Sequence, residues 1–240
     1  MRLLAAIAGA ITALALPGTA GAQASYPEAL TGGWSIAKEA QGDLTGDGIP
    51  EAVLVIRQAD PALIVENDGL GEPMLDLNPR SLLVLERAGN GWRQLARADG
   101  LVPTAGNMDS PCLADPLEDG GVTVAKRILT VWLNDWLSCG SFGVTALSYK
   151  FRLEKGRFRL IGFDRLQFSR ATGLGDETSI NYLTGRRKDT SNATILEFGG
   201  GGEPAPRPEV SWRRIGRERH FLEEMNITSC EDEENTPSWC

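Results

Sequence analysis

The sequence predicts an all-β fold, mostly antiparallel and of sandwich or propeller-related type, with little helix. Three observations carry this expectation. Gly 28 and Pro 13 in 240 residues cut the chain into short apolar runs separated by turn chemistry. Leu147–Leu153 and Arg157–Phe163 both alternate polar and apolar residues about Lys155-Gly156, the period-two signature of a hairpin. Only Arg217–Met225 carries a helical pattern, and it is short.

Taken in order, the chain opens on a leader: Met1-Arg2, the apolar Leu3–Leu16, and a small-x-small site at Ala22-Gln23-Ala24. The apolar run is too short for a membrane span. A second apolar stretch, Ile128–Leu137, is broken by Asn134 and Asp135, so no membrane span is expected. No cysteine lies near the cleavage point, which argues against a lipid anchor. The reading is a signal peptide over 1–24 and a single β-rich domain over 25–240, in a periplasmic or secreted protein.

Ala52–Arg57 is a continuous apolar run of strand length. Gln58–Pro79 is turn-rich and irregular, of the kind that is functional or disordered in a compact domain. Ser81–Arg87 and Gly91–Arg97 flank Ala88-Gly89-Asn90 as a hairpin. Val122–Ala125 and Arg127–Leu133 read as further strands, as do Ser179–Leu183, Ala193–Phe198 and Glu209–Ile215. Gly199–Pro208 reads as a connector; its four glycines lack the lysine and helix of a phosphate loop.

Cys112, Cys139, Cys230 and Cys240 form an even set, which in an exported chain reads as two disulfides with three possible connectivities. The favoured one is Cys112–Cys139, tying the 109–121 loop to the turn at Cys139-Gly140, with Cys230–Cys240 pinning the acidic tail. Free thiols or a metal site are the alternative, but no CxxC spacing supports them.

The stretch from Asp43 to Glu51 carries the most specific chemistry. Asp43, Thr45, Asp47 and Glu51 place oxygen side chains at loop positions one, three, five and nine, Gly48 stands sixth, and the Ile49 carbonyl stands seventh. Calcium takes six to eight hard oxygen ligands, and a tight turn delivers alternate side chains and a carbonyl to one point. These five residues are the candidate metal ligands, and calcium is the expected cofactor. The alternative is a metal-free turn in which the same carboxylates cap backbone N–H groups.

Asp43–Ile56 resembles FG-GAP-type repeats, the calcium-loop-then-strand unit of integrin-α-like propellers, and more loosely dockerin loops. Thr45 and Glu51 depart from the usual Asn or Asp and Asp. Leu54 at position twelve excludes an EF-hand, and the loop occurs once. A longer resemblance, through Gly33-Trp34, Gly42–Ile56, Asp76–Leu85, Tyr149–Phe163 and Thr178–Arg186, is to exported bacterial proteins to which no activity is assigned. It implies export and a β fold.

Removing the single leader charge, Arg2, takes the net charge from −8 to −9. Without clustered cations, nucleic-acid binding is not expected. His220, the one histidine, lies among arginines with no motif to orient it, so histidine-based catalysis is not expected. Gly140-Ser141-Phe142-Gly143 is not a nucleophile elbow. Asp164 and Asp176 are the candidate carboxylate pair for glycoside chemistry. Trp34, Trp92, Trp132, Trp136 and Trp212 are expected in the core or covering a sheet, the other reading being a carbohydrate platform. The sequons at Asn192 and Asn226 read as chance in a bacterial chain. The functional expectation is a non-enzymatic binding module whose partner is an envelope protein or glycan. A carboxylate hydrolase of an envelope polymer and a structural or inhibitory periplasmic protein are the alternatives.

Overall fold

The computed structural model describes residues 26, 30, 32–196, 206–227, 230 and 237–240. The leader expected over 1–24, Phe198 and the Gly199–Gly202 run lie outside the described residues. The strands are β1 (Trp34–Gly42), β2 (Glu51–Gln58), β3 (Ile64–Glu66), β4 (Met74–Asp76), β5 (Arg80–Ala88), β6 (Gly91–Ala98), β7 (Gly121–Ala125), β8 (Ile128–Trp136), β9 (Gly143–Glu154), β10 (Arg157–Ser169), β11 (Leu174–Asn181), β12 (Arg186–Thr194) and β13 (Glu209–Arg214). They form a four-stranded sheet, β1-β2-β5-β6, a seven-stranded sheet running from β13 to β7, and the small β3-β4 pair. Every strand pairing is antiparallel.

The two larger sheets face one another across a single core. Val53, Val55, Leu82 and Val84 of the small sheet meet Leu129, Val131, Tyr149, Phe151, Phe158 and Leu160 of the large one. The small sheet is also covered on its outer face, where Ala52, Leu54, Ile56, Leu83 and Leu85 lie under Tyr26, Leu30, Trp34 and Trp92. A strand buried on both faces cannot alternate, which is why 52–57 reads as an unbroken apolar run. The large sheet has one covered face, and its strands alternate accordingly.

Two hairpins turn on paired left-handed residues, the geometry that matches strand twist. Lys155 (φ 53°) and Gly156 (φ 80°) join β9 to β10 as the sequence suggests. Lys126 (φ 52°) and Arg127 (φ 63°) join β7 to β8. Arg127, expected to open a strand, is therefore a turn residue. Two non-glycine residues in that region cost about 1–2 kcal/mol each, which contacts made by Arg127 help to offset.

Other elements depart from expectation. β1 was not signalled, because its face pattern is largely exposed. The strand expected over Ala193–Phe198 is instead Arg186–Thr194, where Arg187 and Asp189 pair along the strand and Asp189 also reaches Arg213 on β13 and Thr178 on β11, in place of an apolar face. In 217–225 there is no α-helix. Phe221 bridges to Arg159, the His220 carbonyl accepts from Leu160 N at 2.9 Å, and only Leu222–Glu224 makes a 3-10 turn. Gln58–Pro79 is ordered by β3, β4 and Asn78, whose buried amide bridges Asp60 and Asp76.

Both expected disulfides are present: Cys112–Cys139, with Cα atoms 5.2 Å apart, and Cys230–Cys240, at 5.5 Å. The first fastens the 111–116 connection along β8, where Ala114 N donates to the Trp136 carbonyl and Asn134 N to that of Pro116. The second sets Trp239 into the core at 4% exposure. Among the described residues no helix is long and apolar enough to cross a membrane.

Candidate functional site

The outer face of the seven-stranded sheet is open. Leu129, Val131 and Leu133 point into the core, so the alternating residues of β8, Trp132 and Trp136, point out. Trp132 is 50% exposed and Trp212 is 65% exposed, correcting the expectation that they pack inside. Trp136 is outward as well, with the Arg170 guanidinium 4.0 Å from its ring centre. Trp34 and Trp92 do cover a sheet, the smaller one.

Register places the exposed tryptophans at the ends of one row. Trp132 pairs with Ser148, Ser148 with Asp164, Asp164 with Ser179, Ser179 with Lys188, and Lys188 with Trp212. Directly opposed residues share a face, and five strand spacings of about 4.8 Å separate the two indoles by roughly 24 Å. Between them the surface is polar. Asp164 accepts from Lys150 Nζ at 2.5 Å and from Ser179 Oγ at 2.6 Å. A shallow hollow of about 480 Å³ borders Trp132, Asn134, Ser148, Asp164, Glu177 and Ser179.

Asp164 and Asp176 do not form the expected pair. Asp176 opposes Gln167, three residues along β10 from Asp164, so the two carboxylates leave opposite faces of the sheet. On β11 the carboxylate that shares the face of Asp164 is Glu177.

The 43–51 loop turns on Gly46 (φ 88°) and Gly48 (φ 84°). Asp43 accepts from Gly46 N at 2.5 Å and Gly48 N at 3.2 Å, and Asp47 accepts from Ile49 N at 2.8 Å. Glu51 is 2% exposed and faces inward. One of its oxygens accepts from Leu44 N at 2.6 Å and Thr45 N at 3.0 Å, and the other accepts from Thr45 Oγ1 at 3.1 Å. Arg127 reaches across from its turn, donating to the Thr45 carbonyl at 2.7 Å and lying against Gly46. Among the described residues no three acidic, histidine or cysteine side chains converge on a metal position. The five predicted ligands fit an ion only once Glu51 turns outward.

His220 is not an isolated surface residue. Its Nε2 lies 2.9 Å from Glu218 Oε2, which also accepts from Ser238 Oγ at 2.6 Å, and Ser238 Oγ lies 3.0 Å from the Tyr182 hydroxyl. Burial works against the Glu218 charge, but the hydrogen bonds from Ser238 and His220 hold its pKa below the ordinary value. Ser238 is bonded to the carboxylate rather than the imidazole, so this cluster fastens the tail and does not activate a hydroxyl. Ser141 lies by the Ser169 end of β10, nine residues or about 30 Å from the Leu160 partner of His220. No protein-family model, curated protein or solved structure matches this chain.

Proposed function

We propose that this chain is an exported binding module that holds an extended glycan of the cell envelope on the open face of its large sheet. One observation carries the reading: Trp132 and Trp212 stand exposed at the two ends of a single cross-sheet row. Indoles offer large apolar area with little rotamer entropy to lose, and Ser148, Ser179 and Asn134 supply hydroxyl-sized hydrogen-bonding partners between them. The Lys150–Asp164 pair cancels charge at the centre, which suits a neutral, hydroxylated ligand in an otherwise acidic chain. Export is supported by the leader pattern and by two disulfides.

The test is titration of intrinsic fluorescence and retention on isolated peptidoglycan glycan strands and a neutral β-glucan. Trp132→Ala is expected to weaken binding about tenfold or more, as truncation of an aromatic anchor does, with the melting temperature unchanged. Lack of retention on every glycan would sink the reading. Release of reducing ends, lost in Glu177→Gln, would replace it with carboxylate hydrolysis.

A second proposal attaches to the loop: calcium binding through Asp43, Thr45, Asp47, the Ile49 carbonyl and Glu51. It is supported by exposed Asp43 and Asp47 on a two-glycine turn and requires Glu51 to release Leu44 and Thr45. A ligand confined to the native state adds about 2.7 kcal/mol at a hundredfold excess over Kd. Melts in EDTA and in millimolar Ca²⁺ are therefore expected to differ by several degrees, with the difference gone in Asp47→Ala. Superimposable wild-type curves would leave the hydrogen-bonded turn alone.

A further inference from the structure

The covered face of the large sheet changes character at one end. Core side chains give way to Asp135 on β8, Thr145 on β9 and Gln167 on β10, three residues in one register row. Arg165 stands one inward position back on β10. The four-stranded sheet does not cap this end; the 103–116 connection and the C-terminal disulfide do, leaving a cavity of about 370 Å³ bordered by these residues, Asn107 and Tyr149. By volume it has room for about a dozen waters.

Two groups that border it have no protein partner. Among the described residues Asp135 has no hydrogen-bond or ion-pair partner, and neither does the hydroxyl of Tyr149, a residue 1% exposed. Arg165 is not the missing partner of Asp135, because its guanidinium donates to the Cys240 carbonyl at 3.0 Å. A half-buried carboxylate without a counter-charge carries a desolvation cost that a bound cation would relieve. Burial pushes the Asp135 carboxyl above the ordinary range, and burial followed by the Asp135 charge pushes Tyr149 up as well. A site that leaves an acceptor and a hydroxyl open beside Thr145, Gln167 and Asn107 is complementary to a cation that also carries hydrogen-bonding oxygens.

We propose that this cavity is a second binding site, for a small molecule bearing a primary ammonium beside hydroxyl groups, with Asp135 as the counter-charge and Tyr149, Thr145 and Gln167 as hydrogen-bonding partners. It is separate from the glycan face, since Asp135 and Trp132 leave β8 on opposite sides. A single carboxylate with one aryl hydroxyl is a poor donor set for a metal ion but sufficient for an ammonium, which has three N–H bonds to give.

Millimolar glucosamine is the probe, with N-acetylglucosamine as the same ring without the cation, followed by two-dimensional amide NMR. With the glycan face disabled by Trp132→Ala, glucosamine is expected to shift the amides of Asp135, Thr145, Arg165 and Gln167, and N-acetylglucosamine is not. In Asp135→Asn the response should weaken about tenfold or more, the worth of a charged hydrogen bond, whereas Trp132→Ala leaves it intact. A merely structural Asp135 would lower stability when replaced. Here the sign is opposite: a carboxyl whose folded pKa is raised loses stability as pH climbs past the ordinary carboxylate value. Asp135→Asn should therefore melt above wild type at neutral pH. No response of folded wild type, an equal response to N-acetylglucosamine, or undiminished binding by Asp135→Asn would each overturn the proposal. Failure of the glycan face with a positive result here would leave it standing.

Discussion

Arg80→Ala is expected to lower stability by about 2–3 kcal/mol, the loss of charge-assisted hydrogen bonds from a buried guanidinium to a part-exposed carboxylate. Arg80 is 5% exposed at the start of β5 and grips Asp115 with two parallel bonds of 2.6 Å, adding a bond to the Pro103 carbonyl at 3.3 Å. This fork anchors the 103–116 connection, which has few other ties to the small sheet. Burial alone would raise the Asp115 pKa, but the Arg80 bonds, the Leu117 N–H and the Arg80 charge together hold it below the ordinary value. A depressed folded pKa contributes stability above the unfolded value, about 3.9, and that contribution is lost as pH falls through the folded one. In Arg80→Ala the carboxylate loses its counter-charge and that contribution. Urea unfolding from pH 7 down to about 3 should therefore show the gap between the two proteins narrowing. A gap under about 1 kcal/mol at pH 7 would place Arg80 among pairs of surface worth.

Glu51→Ala is expected to cost about 3 kcal/mol, because it strands the Leu44 and Thr45 N–H groups and the Thr45 hydroxyl at once. Leu44 itself is a core residue at 1% exposure, so the loop cannot relax outward to hydrate its amide without opening the core. Glu51→Gln keeps one acceptor and should lose less than Glu51→Ala. Hydrogen exchange reports this locally: the Leu44 and Thr45 amides should exchange faster in Glu51→Ala, and unchanged protection would show that the cap is not what holds the loop.

Much of this architecture is legible in the chain because it rests on local chemistry. The Lys155-Gly156 hairpin is a two-residue left-handed turn between alternating arms, and each of those signals is confined to a few residues. The disulfides follow from four cysteines and the turn at Cys139. What escaped is non-local. Glu51 reads as a ninth-position ligand until one sees that β2 is buried on both faces, so its first side chain is drawn inward with the apolar run behind it. β12 shows no apolar run because its inward Arg187 and Asp189 pair with each other and with Thr178 on β11. The outward aim of Trp132 and Trp136 was available all along: they alternate with Leu129, Val131 and Leu133, and a strand cannot point both sets inward. The same count turns Asp135 toward the covered side. Asp164 and Asp176 could be assigned to opposite faces only once the register of β10 against β11 was known.

The large sheet has its seven strands side by side in the order in which they occur along the chain. Each strand therefore needs only its predecessor to find its place, and apart from the 195–208 connection the loops to be closed are short, so the entropy of each addition is small. Hairpins of this kind form in about 1–10 μs, and topologies rich in such local pairings fold fast for their class. The distant encounters are different: Leu44 and Val53 must meet Phe151 and Phe158 about a hundred residues later in the chain. Docking of the two layers, with its longer loop closure, is therefore expected to be slower than the assembly of the large sheet.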